Sequence, residues 1–173
     1  IVFKNEYDSK VFWILFNSKL INWFCYRFIF AKAIRTMHFD NAVTNRIPIP
    51  CKFEQDAFIV KADLMIKLFS EIRFVVASFC NHIQLKYHLN SITKKLQNWH
   101  ELDFRDFLKE LQKANVKLSL SEEAEWMLYF KVQKQKAQTL KAEIDKTDKE
   151  IDRMVYALYG LTEEEIKIVE DAM

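Results

Sequence analysis

Three side chains that can bind a transition metal lie close together in the chain: Cys80, His82 and His88. Zinc prefers thiolate and imidazole ligands, and its sites usually show paired ligands at a spacing such as C-x-x-C or H-E-x-x-H. No such pair accompanies these residues, and on one helix Cys80 and His82 point to different sides. The spacing therefore favours a packed thiol with partly exposed imidazoles, and we expect no metal site.

A second group has the residue types of a metal-dependent nuclease, Asp152 followed by Glu165, Ile166 and Lys167. Nuclease carboxylates of this kind project from adjacent strands, whereas the sequence around these residues predicts two helices. Glu165 also stands three residues after Thr162, which is the spacing of a helix capping box. The capping interpretation is therefore preferred to a catalytic one.

Glycine occurs only once in the chain, and there is no Pro-Pro pair. A Walker-type phosphate loop, a dinucleotide fingerprint and a G-x-S-x-G nucleophile elbow each need at least two glycines, so all three are excluded. The N-P-P-Y type motif of an amino-methyltransferase is also missing. We therefore expect a non-catalytic chain with no cofactor of its own.

Side chains suited to nucleic acid are concentrated in a basic, aromatic N-terminal part. Residues 1–52 hold eight Lys or Arg against three Asp or Glu, a net charge of +5, while the remaining residues carry −3. Arg and Lys suit phosphates and guanine edges, and Asn suits adenine edges. An ordinary solvated loop remains the alternative from the residues alone. The candidate DNA-binding residues are Lys32, Arg35, His38, Asn41, Asn45 and Arg46.

The elements that must position these residues are predicted to be mainly helical, because turn-forming glycine and proline are scarce. Asp8 and Ser9 can cap a helix that runs to about Arg27. Short strands are expected at residues 1–3 and within residues 29–39. Pro48 and Pro50 forbid a regular helix, so the boundary between two parts is placed after residue 52.

Two heptad patterns, with apolar residues at alternating spacings of four and three, predict long helices that pair in an antiparallel intramolecular coiled coil. Ser119 with Glu122, and Thr162 with Glu165, have capping-box spacing. Gly160 stands where a helix ends in a left-handed residue. The first pattern consists of Phe58, Ala62, Met65, Phe69, Ile72, Val76, Phe79 and Ile83. The second consists of Trp126, Phe130, Gln133, Ala137, Leu140, Ile144, Thr147, Ile151, Met154 and Leu158.

The most apolar stretch, residues 11–30, is long enough to span a bilayer. Polar residues interrupt it throughout, from Asn17, Ser18 and Lys19 to Arg27, and their burial in lipid would be costly. A buried amphipathic helix is therefore expected, without membrane contact. Three scattered cysteines suit a reducing cytoplasm.

Three segments carry a family resemblance: LFNSKLINWF with the following IRT and IPIP, the connecting KLQNWHELDFRDFLKEL and SLSEEAEWMLYF, and the ending EIDKTDKEIDRMVYALYGLTEEEIKIVE. The series resembles the C-terminal target-recognition region, or TaqI-like specificity domain, of fused type II restriction–modification enzymes. It is also similar to type I restriction specificity subunits. The Y-x-L-Y-G-L-T-x-x-E-I core, from Tyr156 to Ile166, is its most specific part.

The resemblance implies a division of labour in a longer protein. Upstream methyltransferase and nuclease domains of the same polypeptide would use S-adenosylmethionine and Mg²⁺, and this chain would read double-stranded DNA. The expected fold is mainly α (α+β), with residues 1–52 as the remnant of a small mixed DNA-recognition lobe. Residues 53–173 would form an elongated antiparallel helical spacer. A helical protein–protein interaction module unrelated to DNA is the alternative.

Overall fold

The computed structural model describes residues 8–30, 41–50 and 52–172, and every regular element within these ranges is helical. A π-helical turn at Cys25–Ile29 follows α2, and a 3-10 turn at Trp99–Glu101 follows α5. The α-helices are α1 Ser9–Asn17, α2 Lys19–Phe24, α3 Asn41–Thr44, α4 Asp56–Tyr87, α5 Lys94–Gln97, α6 Phe104–Lys113, α7 Leu120–Leu158 and α8 Glu163–Glu170.

The chain divides into two compact units. The first unit contains the described residues within 1–65 and 146–173, and the second contains residues 66–145. The two long helices α4 and α7 each contribute residues to both units. This division does not coincide with the sequence-based boundary after residue 52, which stays a prediction.

The N-terminal part is helical where the structure describes it, so the prediction of a mixed α+β lobe is not supported. Ile29 ends the π-helical turn, and the N–H of Phe30 donates to the carbonyl of Cys25 at 2.9 Å. The buried residues Val11, Ile14 and Leu15 follow a helical spacing of three and one, not the alternation that a strand requires. The strands expected at residues 1–3 and 31–39 lie outside the described residues.

The predicted single helix from Asp8 to about Arg27 is interrupted at Ser18. The Asp8 side chain does cap α1, accepting from the N–H of Lys10 at 2.7 Å. Ser18 leaves the helical conformation, and its hydroxyl donates to the carbonyl of Leu15 at 2.7 Å while accepting from the N–H of Ile21 at 3.4 Å. Because Ser18 satisfies groups on both sides of the break, it ends α1 and caps α2.

A buried carboxylate from α7 completes this second cap. Oδ1 of Asp152 accepts from the N–H of Lys19 at 2.9 Å, and the Lys19 ammonium lies 3.7 Å from Oδ2. Asp152 is only 3% exposed, and this burial raises the pKa of its carboxyl group above the ordinary value. The carboxylate therefore ties the start of α2 to α7, despite the cost of removing a charge from water.

The end of α7 and the start of α8 follow the predicted pattern. Gly160 has a φ of +68°, and the N–H of Leu161 donates to the carbonyl of Tyr156 at 3.0 Å, as in a Schellman motif. Thr162 and Glu165 then form a complete capping box at the start of α8. At the other end of α7, Ser119 and Glu122 make the predicted reciprocal bonds, so both capping boxes are confirmed.

The second unit is built on a dense aromatic core. Phe79 of α4 stacks on Trp99 with ring centroids 3.8 Å apart, and Phe107, Trp126 and Phe130 surround this pair. Residues 79–87 of α4 contact residues 126–130 of α7, while residues 70–75 lie beside residues 135–140. Within this unit the two helices therefore run antiparallel, as the heptads predict.

Both heptad patterns face the interior. In the first unit Ala62, Met65 and Ile151 are buried, and so is the polar member Thr147, which is 3% exposed. In the second unit the buried members include Phe79, Ile83, Trp126, Phe130 and Ala137. Burying such side chains contributes about 1.5–3 kcal/mol each for the large apolar ones, so the seams account for much of the helix pairing.

The segment between α4 and α6 contains a histidine in an unusual environment. Trp99 is fully buried, and its Nε1–H donates to the carbonyl of Val76 at 3.3 Å. The next residue, His100, has a buried Nδ1 without a hydrogen-bond partner among the described residues. Burial lowers the pKa of the His100 imidazole, so the neutral form is favoured.

We expect Asp152→Ala to lower the free energy of unfolding by about 1–3 kcal/mol, since the partly buried N–H of Lys19 loses its acceptor. Asp152→Asn keeps an acceptor and removes the buried charge, so its stability should return to within about 1 kcal/mol of the wild type. Urea denaturation followed by circular dichroism measures both variants. Equal destabilisation by the two substitutions would contradict the capping role.

We expect part of the stability to be lost on acidification because of His100. Its folded-state pKa lies below that of an exposed histidine, about 6.5, so the unfolded chain takes up the proton first. Stability contributed by the neutral imidazole is present above that value and falls as the pH drops below it. The melting temperature should therefore fall less for His100→Asn than for the wild type between about pH 7.5 and pH 5.5. His88→Asn, at an exposed position, is the control and should behave like the wild type.

Candidate functional site

Three of the six predicted DNA-binding residues, Lys32, Arg35 and His38, lie outside the described residues. The other three, Asn41, Asn45 and Arg46, are exposed on α3 and on the turn that follows it. The N–H of Asn45 donates to the carbonyl of Asn41 at 3.1 Å, which closes the short helix. The structure thus places two amide side chains and one guanidinium on a single exposed turn.

The position of Arg46 is set by the elements on both sides of it. Its Nη2 donates to the carbonyl of Phe28 in the π-helical turn at 3.3 Å. The next residue, Ile47, is 6% exposed and packs with Ile21 and Cys25. The guanidinium is therefore exposed, while the backbone that carries it is anchored in the core of the first unit.

A tyrosine holds the proline segment that follows. The hydroxyl of Tyr159 donates to the carbonyl of Pro48 at 2.7 Å. Burial raises the pKa of Tyr159 to about 12, so the phenol stays protonated and keeps its donor at neutral pH. The segment with Pro48 and Pro50, which the sequence marks as non-helical, is thereby fastened to the residues just after α7.

Arg27 is a cation that the sequence analysis did not select for DNA contact. It is exposed, and its guanidinium lies 6.0 Å from the ring centroid of Trp23. The residue after Arg27 is Phe28, whose carbonyl accepts a hydrogen bond from Arg46. Both arginines therefore lie at the π-helical turn. Arg27 could have been selected from the sequence as a basic residue in the last turn of the predicted amphipathic helix.

The candidate metal ligands of the second unit, Cys80, His82 and His88, lie in three different environments. The Cys80 thiol is buried, lies 3.7 Å from the carbonyl of Leu96, and has its pKa raised by burial. The His82 ring packs against Trp126, with centroids 5.7 Å apart, while His88 adopts a φ of +50° after the end of α4. Nowhere in the described ranges do three ligand side chains converge as a metal site would require.

The acidic candidates are also engaged in the fold. The carboxylate of Glu165 accepts from the N–H of Thr162 at 2.8 Å, and this bond lowers the pKa of the carboxyl group. Asp152 is occupied by the N–H of Lys19. Neither side chain is therefore presented as a catalytic acid or base, in keeping with the capping interpretation. In addition, no helix of the described residues combines the length and the apolar character needed to cross a membrane.

Sequence analysis missed two surface grooves of the second unit. The first, called the amide groove, has a volume of about 760 Å³ and lies between α4 and residues 90–100. The second, called the Phe74 groove, has a volume of about 610 Å³ and lies between α4 and α7. Phe74, at 73% exposure, lies off the heptad pattern and is the sequence signal for the Phe74 groove. The amide groove is lined in part by the heptad members Ile72 and Val76, so the pattern gives no signal for it.

Comparison with curated proteins finds no match, and comparison with solved structures finds none either. A family model described as a domain of unknown function, DUF8810, matches residues 52–155. The matched range covers more than half of the chain and includes all of α4, α5 and α6 and nearly all of α7. The two long helices and the aromatic core between them are thus the shared part, and the chain belongs to the DUF8810 family.

Proposed function

We propose that this chain is a DNA-recognition and spacer segment of a bacterial restriction–modification protein, non-catalytic by itself. The observation that carries the proposal is the exposed guanidinium of Arg46, which is held on an anchored turn of a strongly basic segment. Phosphate recognition depends on such fixed cations, since each neutralised phosphate releases condensed counterions. Lys32 and Arg35 are proposed to act with Arg46.

The neighbouring amides fit the same role. Asn41 and Asn45 are exposed on the turn that carries Arg46. An asparagine amide can both donate to and accept from an adenine edge, which a lysine or arginine cannot do. The turn therefore offers the two kinds of contact that DNA reading needs, one for position and one for base identity.

The proposed spacer role is supported by the long helices. α4 has 32 residues and α7 has 39, which correspond to about 48 Å and about 58 Å of helix. Buried heptad seams and the capping box at Ser119 make these helices suited to keeping attached parts at fixed distances. Methyl transfer from S-adenosylmethionine and Mg²⁺-dependent cleavage would belong to upstream domains of the same polypeptide.

The proposal predicts that replacing Lys32, Arg35 and Arg46 together by Ala weakens binding of a DNA duplex by about ten- to a hundredfold at low salt. The slope of log K against the logarithm of the salt concentration should also become smaller in magnitude by about two to three, because up to three phosphate contacts are lost. Fluorescence anisotropy of a labelled duplex with the full-length protein measures both quantities.

The matched control removes three exposed lysines of α7 in the second unit, Lys131, Lys136 and Lys141. It changes the net charge by the same amount and should leave affinity and salt slope close to those of the wild type. Equal losses in the two triple variants would show general electrostatic attraction. An unchanged affinity in the first variant would refute the DNA assignment.

A second candidate function, a helical protein–protein interaction module, is favoured by the Phe74 groove. Phe74 is 73% exposed, and Val75 and Leu140 line the same apolar groove. Glu71 and Lys136 also line it. Because one groove carries an acidic and a basic side chain beside an exposed Phe74, its charges complement those of an identical groove, and the proposed partner is a second copy of this chain.

This second candidate predicts that the wild type forms a dimer in analytical ultracentrifugation. Phe74→Lys should raise the Kd of that dimer at least tenfold, since a desolvated aromatic side chain is lost. Leu85→Lys is the control, because Leu85 of α4 is similarly exposed, at 77%, but does not line the groove. A wild-type monomer at high concentration, or equal effects of both substitutions, would exclude the dimer.

A further inference from the structure

The amide groove of the second unit has the properties of a small-molecule site. Its volume of about 760 Å³ lies within the range of ligand pockets. Along α4 it extends from residue 72 to residue 84, about 18 Å of helix. Its lining residues are Ile72, Arg73, Val76, Ala77, Cys80, Asn81, Gln84, Asn90, Ser91, Ile92, Gln97 and His100.

The lining combines an apolar base with polar amides. Ile72, Val76 and Ile92 are partly buried and supply apolar surface. Asn81 and Gln97 represent the amides, each able to donate and to accept hydrogen bonds. The lining contains no carboxylate, so the site suits an apolar molecule that ends in a polar or negative group.

The wall opposite α4 is bonded to that helix. The Trp99 indole donates to the carbonyl of Val76, and the Cys80 thiol lies 3.7 Å from the carbonyl of Leu96 and 3.9 Å from that of Gln97. These bonds hold residues 96–99 against α4 without a ligand. The groove is therefore preformed, which reduces the entropy lost on binding.

Arg73 and His100 are two lining residues whose side chains lack polar partners among the described residues. Arg73 is exposed and makes no ion pair with the described residues. His100 has a buried Nδ1 without a hydrogen-bond partner among those residues. That nitrogen has almost no exposed surface, so Arg73 is the charged group that a molecule in the groove can reach.

We propose that the amide groove binds a small amphipathic carboxylate, with its hydrocarbon body on Ile72, Val76 and Ile92 and its carboxylate paired with Arg73. Arg73 is the only charged side chain in the lining, so one negative charge is matched and a second would not be. Burial lowers the pKa of the neighbouring His100 imidazole, so the charge that holds the carboxylate is that of Arg73. This inference is independent of DNA binding.

The test is isothermal titration calorimetry of the full chain with decanoate as the probe. The wild type should bind one equivalent saturably, and Arg73→Gln should weaken binding about tenfold through loss of the charge-assisted pair. Ala77→Trp should abolish binding, because Ala77 is exposed and its new side chain would fill the groove. Ser78→Trp is the matched control at the next exposed position, which does not line the groove, and should bind like the wild type.

Two further measurements keep the proposal falsifiable even if the Ala77→Trp chain folds poorly. Decyltrimethylammonium, with the same chain and the opposite charge, should bind at least tenfold more weakly than decanoate. In the wild type, NMR of the imidazoles should show the His100 ring resonances shifting as decanoate saturates, because that ring lines the groove. Equal affinity for the two amphiphiles, binding that survives Ala77→Trp in a folded chain, or an unmoved His100 resonance would each overturn the proposal.

Discussion

The second unit depends on the burial of one aromatic side chain, Phe79 of α4. Its ring lies within 6.1 Å, between centroids, of rings from the 3-10 turn, α6 and α7. Every helix that meets there gains apolar burial only if the others are present, because no single contact removes the ring from water. Trp99 and Trp126 are consequently held at fixed positions, and the amide groove is shaped by the segment that carries Trp99.

In the first unit the corresponding constraint is polar. Asp152 of α7 replaces water at the N-terminus of α2, where unpaired N–H groups carry a partial positive charge. The helix break at Ser18 and the nearby π-helical turn would leave further backbone groups unpaired without such partners. Two hydrogen bonds hold the turn that carries Arg46: Arg46 donates to the carbonyl of Phe28, and Tyr159 donates to the carbonyl of Pro48. A chain with few glycines and prolines thus makes its turns through side-chain capping.

Much of the helical organisation could be predicted, because it depends on local patterns. The capping boxes at Ser119 and Thr162 and the left-handed Gly160 follow from residues three or four positions apart. The interruption at Ser18 was missed because part of the cap of α2 comes from a distant residue. Asp152 accepts from the N–H of Lys19, which lies 133 residues earlier in the chain. The mixed lobe is not supported by the described residues, and aromatic and β-branched residues near residue 29 suit either a strand or a buried helix.

The sequence by itself determined that the chain is mainly helical, where its long helices lie and which of their faces are buried. It also excluded the catalytic motifs that need several glycines. Only the tertiary structure decided which carboxylate caps α2, which carbonyl holds Arg46, and that His100 and Arg73 line one groove. The physical reason is range: heptads and caps are set by neighbours along one helix, whereas grooves and buried charges arise where distant segments meet.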